Sequence, residues 1–141
     1  LHICLRYEIE QALFADKVTV DDLPELWDEK MQAYLGLPTK NNYKDGIMQD
    51  VHWASGYFGY FPSYTLGMLL AAQLYKNLQK DLPSLSAELK SGNFKQINQW
   101  LITKIHSHAS SLPFDELVNQ AVHSSLNSTA YLDLINDNNN Q

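Results

Sequence analysis

The chain has 141 residues, 45% of them hydrophobic, and its 16 acidic and 10 basic side chains give a formal net charge of −6. This length predicts one domain or part of one, and the apolar fraction is ordinary for a globular chain with a real core. The acidic balance argues against a nucleic-acid-binding module, which needs a concentrated basic face, and no apolar run is long enough to predict a membrane-spanning helix.

Amphipathic helices are predicted at the start of the chain, because apolar residues recur there at three- and four-residue steps. Residues 1–13 form the first predicted helix. Cys4 is expected to be inert core on its apolar face. As the sole cysteine it cannot form an internal disulfide, which is typical of a reducing, cytoplasmic setting. A second helix is expected to begin near Asp22, with an acidic cap and an early proline, and to end at Gly36.

The rest of the chain predicts helices and loops, without an alternating pattern long enough to support a sheet. A surface loop is predicted over residues 37–46, a short helix over residues 48–53 and a second loop over residues 55–59. A long helix is expected to begin at Pro62 and to run to about Gln79. Four further helices are predicted, one over residues 84–90 and three that begin near Asn93, Pro113 and Asn127 or Ser128. The inner face of the long helix is expected to include Leu66, Leu69, Leu70, Gln73 and Leu74. Residues 136–141 are expected to form a disordered tail, because Asn, Asp and Gln cannot bury apolar surface. The predicted fold class is all-α, with many helices.

The most informative segment runs from Gly46 to Gly67 and contains one His, one Asp, one Trp, three Tyr and four Gly. It begins G-I-M-Q-D-V-H-W and continues G-Y-F-P-S-Y-T-L-G from residue 59. These runs resemble the G-x-x-Q-D-x-H-W signature and the G-Y-F-P-[ST]-Y-T-L-G segment of the Taq-type metallocarboxypeptidases. Residues 1–10 and 20–36 are similar to two further helices of that family. The resemblance is specific over roughly residues 1–80, and residues 122–141 depart from the family pattern.

The resemblance implies the C-terminal part of a larger, helical, zincin-like metallopeptidase that removes C-terminal residues from peptides with broad specificity. Such enzymes hold zinc or another divalent metal on an H-E-x-x-H helix and are commonly homodimers. None of the five histidines here begins that motif: His2, His52, His106, His108 and His123. We therefore expect the metal-binding half to lie outside this chain, no residue of this chain to bind the metal, and these 141 residues alone to be inactive.

The resemblance also implies roles for individual residues. His52 and Tyr64 are expected to be catalytic, because a peptidase needs donors aimed at the oxyanion that forms on the scissile carbonyl. Tyr60 is expected to bind the terminal carboxylate of the substrate. The remaining expected site residues are two glycines that let the loop lie against a peptide and three residues that support the site: Gly56, Gly59, Gln49, Asp50 and Trp53. Each of these site residues also has a purely structural interpretation, either as a side chain of the core or as a residue that allows the loop to turn.

Two acidic side chains of the first helix, Glu8 and Glu10, are expected to make salt bridges or to face solvent. A second function also stays open from the sequence. The lack of a metal site and the many aromatic residues are compatible with a non-catalytic helical module for protein–protein interaction.

Overall fold

The computed structural model describes the backbone of residues 1–139 and the side chains of residues 1–137. Within that range the regular structure is helical, without strands, so the predicted all-α class is confirmed. The α-helices are α1 His2–Phe14, α2 Leu23–Leu35, α3 Val51–Ala54, α4 Phe61–Asp81, α5 Leu85–Ser91, α6 Lys95–Lys104, α7 Phe114–Val122 and α8 Thr129–Asn139. Short 3₁₀ turns occupy Val20–Asp22, Ile47–Gln49 and His106–His108. Over the described residues, none of these helices combines the length and the hydropathy that a membrane crossing requires.

The chain divides into two compact units, the first from Leu1 to Thr65 and the second from Leu66 onward. The core of the first unit forms where α1 packs on α2. Its buried side chains are Leu5, Ile9, Leu23, Trp27 and Met31. Full burial of one such side chain is worth about 1.5–3 kcal/mol, so this cluster anchors the α1–α2 pair. The pair is the platform on which residues 46–61 are built.

The start of α2 differs in detail from the predicted acidic cap. The 3₁₀ turn Val20–Asp22 precedes the helix, and Thr19 forms a capping box with Asp22. Both the amide and the hydroxyl of Thr19 donate to Asp22 Oδ2 over 2.7 Å, and these bonds lower the pKa of the Asp22 carboxyl. The carboxylate therefore caps the 3₁₀ turn before the helix rather than α2 itself. The helix ends at Gly36 in a left-handed conformation, as predicted.

The second unit has two buried apolar clusters of its own. One consists of Leu78, Leu85 and Trp100, and the other of Val118, Ala121 and Val122. On α4, Gln73 is buried as predicted. Its amide nitrogen donates to Ser124 Oγ and to the Ser125 carbonyl, and its amide oxygen accepts from the Asn127 amide. The buried polar side chain thereby connects α4 to the segment that leads into α8.

Four local expectations differ from the structure. The helix expected over residues 48–53 is two short pieces that meet at Asp50. Leu66 and Cys4, expected to be buried, are exposed. Helix α8 extends to Asn139, over the first residues of the expected disordered tail, and residues 140–141 lie outside the described residues. Periodicity identifies an apolar face but not the surface that covers it, which accounts for the two exposed side chains.

Gly46 lies in a close approach that an alanine cannot occupy. A Cβ at this position would lie 2.8 Å from the Asn42 carbonyl oxygen and 3.4 Å from Thr39 Cβ. We expect Gly46→Ala in the full-length protein to lower the free energy of unfolding by about 1–3 kcal/mol, because the backbone must shift to relieve the overlap. Denaturant unfolding measures the loss. Gly67→Ala on α4 is the matched control, because its Cβ meets nothing within 4 Å. Equal effects of the two substitutions would contradict the expectation.

Candidate active site

Asp50 fixes the start of α3 and thereby the backbone of His52. Its Oδ1 atom accepts hydrogen bonds from the amides of His52, at 2.8 Å, and Trp53, at 3.0 Å. Its Oδ2 atom accepts from Arg6 Nε of α1 at 2.7 Å. The Asp50 side chain is only 1% exposed, so this ion pair is screened very little by solvent. One buried carboxylate thus joins α1 to the first turn of α3.

The His52 imidazole is half-buried and lies among aromatic rings. It stacks on Tyr60 with the ring centroids 5.5 Å apart, and it meets Phe61 at 4.9 Å and the edge of Tyr64 at 5.9 Å. Its Nε2 atom lies 3.0 Å from the Tyr64 hydroxyl. The ring is therefore fixed by packing on its sides and by a hydrogen bond at its tip.

Tyr60 directly precedes α4, and Tyr64 lies in its first turn. Phe61 is buried there, whereas Tyr60 is 46% exposed and Tyr64 is 44% exposed. Their ring centroids are 5.3 Å apart. Partial desolvation raises the pKa of the Tyr64 hydroxyl above its usual value of 10.0, and the Tyr60 hydroxyl adds to the shift. Tyr64 therefore keeps its proton, and can donate it in a hydrogen bond, throughout the neutral range.

An open pocket of about 300 Å³ lies beside this cluster. Its lining comes from α1, from the turn before α3, from α3 itself and from the start of α4: His2, Ile3, Arg6, Gln49, Asp50, Val51, His52, Phe61 and Tyr64. His52 and Tyr64 thus face a concave surface. The other expected substrate-binding residues, Tyr60, Gly56 and Gly59, are exposed but do not line this pocket.

The loop between α3 and α4 turns at two glycines. Gly56 has φ +76° and Gly59 has φ +73°, in the left-handed region that glycine adopts without steric cost. The Gly59 amide points back to Glu10 of α1 and donates to its Oε1 atom. This conformation returns the chain so that Tyr60 lies over His52.

Two residues of the site are not identified by the sequence, and both belong to α1. The sequence predicts no role for Arg6, and for Glu10 it predicts a salt bridge or exposure to solvent. Glu10 is instead buried and accepts hydrogen bonds from Trp53 Nε1 and the Gly59 amide. Their four-residue spacing does predict that both side chains lie on one face of a helix, but it does not identify what they contact. Glu8, by contrast, makes the expected ion pair, with Lys30 Nζ at 2.5 Å.

The other expected supporting residues have distinct surroundings. Gln49 is exposed, and its amide nitrogen donates to the Lys44 carbonyl at 2.6 Å. Trp53 packs edge-on against Trp27 and Phe61, with ring centroids 6.5 and 6.0 Å away. Gln49 therefore stabilises the turn before α3 by bonding to the Lys44 carbonyl, whereas Trp53 packs α3 against the core.

The described residues do not offer a metal site. Across residues 1–137, no three His, Cys, Asp or Glu side chains come together in a group that could hold a metal ion. His106 and His108 lie in a 3₁₀ turn, and His123 ends α7 with φ +57°. His2, which lines the pocket together with His52, contacts the Arg6 guanidinium, and burial together with that positive charge lowers the pKa of His2.

The fold belongs to a known class of proteins. Residues 1–139 match the family described as carboxypeptidase Taq (M32) metallopeptidase, and the chain belongs to that family. Carboxypeptidase 1 of Bacillus subtilis is 46% identical over 137 residues, which is 97% of this chain and 27% of that protein. Thermostable carboxypeptidase 1 of Thermus thermophilus is 47% identical over 110 residues, 78% of this chain and 21% of that protein.

Solved structures of the family share the same helical arrangement. Metallocarboxypeptidase 1 of Trypanosoma cruzi superposes with a TM-score of 0.94 at 40% identity, over 96% of this chain and 29% of that one. A carboxypeptidase structure from Pyrococcus furiosus gives a TM-score of 0.92 at 36% identity, over 97% of this chain and 27% of that one. The family resemblance is thus confirmed, and the chain spans about a quarter of the length of the curated relatives it matches.

Proposed function

We propose that this chain is the C-terminal helical portion of a longer metallocarboxypeptidase and forms one wall of its active site. The enzyme hydrolyses the C-terminal peptide bond of peptides, with broad specificity. The observation that carries the proposal is the convergence of His52 Nε2 and the Tyr64 hydroxyl, 3.0 Å apart, beside an open pocket. Membership of a carboxypeptidase family supports this enzyme over a non-catalytic interaction module.

His52 and Tyr64 stabilise the negative charge that develops on the carbonyl oxygen of the scissile bond. With the imidazole proton on Nε2, both groups are donors, and a carbonyl oxygen beside the pair accepts a hydrogen bond from each when it displaces the bond between them. Packing against Tyr60 and Phe61 holds the imidazole, so little reorganisation accompanies the reaction. Tyr60 binds the terminal carboxylate, and the loop at Gly56 and Gly59 follows the peptide backbone.

The metal, zinc or another divalent ion, is held by residues outside this chain. This division rests on the sequence, in which none of the five histidines begins an H-E-x-x-H motif. The same proposal makes the 141 residues inactive by themselves. A cytoplasmic location is supported by the single cysteine, and a homodimeric assembly rests on the family resemblance alone.

The test of this function uses the full-length protein with its metal. N-terminally blocked peptides are offered with a free or an amidated C-terminus, and products are identified by mass spectrometry. We expect single residues to be released in turn from the free C-terminus and the amidated peptides to resist. Internal cleavage, or equal cleavage of both sets, would overturn the proposal.

The Tyr64 hydroxyl has a predicted effect of its own. Tyr64→Phe keeps the ring against Tyr60 but removes the donor, so we expect kcat to fall by on the order of 10²-fold with little change in KM. Because burial raises the pKa of Tyr64 above its ordinary value, Tyr64 keeps its proton through the neutral range, and the wild-type profile should show no loss from this group there. Steady-state kinetics across pH measure both quantities.

The control for this variant is Tyr57→Phe, which removes a hydroxyl from an exposed tyrosine of the loop between α3 and α4. We expect the Tyr57 variant to keep the wild-type kcat. A wild-type kcat for Tyr64→Phe would remove Tyr64 from the catalytic groups.

A further inference from the structure

We propose that Glu10 is a positioning residue for this site, in that it clamps both ends of the loop between α3 and α4 and so sets the arrangement of His52, Tyr60 and Tyr64. The inference rests on the proposed function. It concerns a residue of α1 that makes none of the described contacts with those three side chains.

The evidence lies in the two hydrogen bonds of a buried carboxylate. Glu10 is 7% exposed. Its Oε2 atom accepts from the Trp53 indole nitrogen at 3.0 Å, and its Oε1 atom accepts from the Gly59 amide. Burying a carboxylate is costly unless its oxygens are bonded, and these two bonds satisfy one oxygen each. A single side chain thus joins the two residues, Trp53 and Gly59, that flank residues 54–58.

Each clamped residue adjoins a proposed site residue. Trp53 follows His52 in α3, and Gly59 precedes Tyr60, whose ring stacks on the imidazole. Release of either end would allow Tyr60 and His52 to shift relative to one another. A stack and a 3.0 Å hydrogen bond tolerate little such movement, and catalysis depends steeply on the position of the donors.

The chemistry requires a group with two acceptor oxygens. Both partners of Glu10 are N–H donors, and an ionised carboxylate is acceptor-only. In Glu10→Gln one carboxylate oxygen becomes an NH₂ group, so one of the two donors meets another donor. The substitution therefore opens one half of the clamp without changing the size of the side chain.

Glu8→Gln is the matched control. Glu8 lies two residues earlier on α1 and is also hydrogen-bonded, but its partners are Lys30 and Tyr34 of α2. Both variants replace a bonded glutamate of the same helix by its amide. The Glu10 variant alone alters a contact with the loop.

The first measurement does not depend on activity. Full-length variants are treated with chymotrypsin under native conditions, and cuts after Tyr57, Phe58 and Tyr60 are quantified by mass spectrometry. We expect the rate of these cuts to rise about tenfold in Glu10→Gln, because the loop opens more often, and to stay at the wild-type value in Glu8→Gln. Equal rates in wild type and Glu10→Gln would overturn the inference.

The second measurement tests whether Glu10 affects catalysis through His52. We expect Glu10→Gln to lower kcat about tenfold, and to have a smaller effect in a His52→Ala background, because one of the groups that it positions is already missing. An equal loss in both backgrounds would contradict a positioning role. If His52→Ala by itself left kcat unchanged, the proposed function would fail, while the proteolysis result would still decide whether Glu10 holds the loop.

Discussion

Replacing His52 by alanine in the full-length enzyme is expected to lower kcat by on the order of 10²-fold or more, the cost of one missing oxyanion donor. The metal content is expected to stay unchanged. The expectation rests on the position of the imidazole, whose Nε2 atom meets the Tyr64 hydroxyl at 3.0 Å, and on the described residues around it, which do not form a group of three metal ligands. Because the donor acts on charge that forms in the transition state, the loss belongs in kcat rather than in KM.

Two measurements on the same preparation test this prediction. Steady-state kinetics on a blocked peptide give kcat and KM, and elemental analysis of the purified protein gives the metal content per chain. His106→Ala is the control, since His106 is an exposed histidine in a 3₁₀ turn of the second unit. Loss of metal from His52→Ala would identify His52 as a ligand, and an unchanged kcat would remove it from the reaction.

The helices could be predicted from the sequence because burial repeats with the helical period. The end of α2 at Gly36 and the opening of α4 around Pro62 follow from residue types that act locally. The break at Asp50 could not be predicted this way, since residues 48–53 are compatible with one continuous helix. Its cause is a carboxylate that caps α3 and pairs with a guanidinium 44 residues earlier in the chain.

The residues of the candidate site also fall into two groups, those that the sequence identifies and those that only the structure reveals. The signature segment contains His52, Tyr60 and Tyr64 close together in sequence, and a resemblance in that segment was enough to nominate them. Arg6 and Glu10 could not be nominated, because their partners lie more than 40 positions away and a helical spacing does not reveal which distant donors it will meet. A sequence motif thus pointed to the groups proposed for catalysis, while packing revealed the groups that hold them.

The largest effect on stability is expected from Asp50→Ala. The substitution leaves the Arg6 guanidinium, whose side chain is 10% exposed, without its carboxylate and removes the cap of α3. Removing one partner of a buried ion pair costs about 3–5 kcal/mol, mostly because the remaining charge is uncompensated. We expect a loss of this size in the free energy of unfolding of the full-length protein, measured with denaturant. Asp133→Asn, which breaks the exposed pair with Lys76, should cost no more than about 1 kcal/mol.

Two further variants separate the charge from the cap. Asp50→Asn keeps an acceptor for the amides of His52 and Trp53 but loses the charge, so we expect it to be more stable than Asp50→Ala by about 1 kcal/mol, the worth of a cap. Adding Arg6→Met to Asp50→Asn removes the orphaned charge and keeps an apolar side chain beside Trp27 and Phe61. If burial of an unpaired charge causes the loss, the double variant recovers most of the stability that Asp50→Asn loses relative to the wild type. A double variant less stable than Asp50→Asn would mean that Arg6 stabilises the unit mainly through its other contacts. The ion pair with Asp50 would then not be the main interaction between α1 and α3.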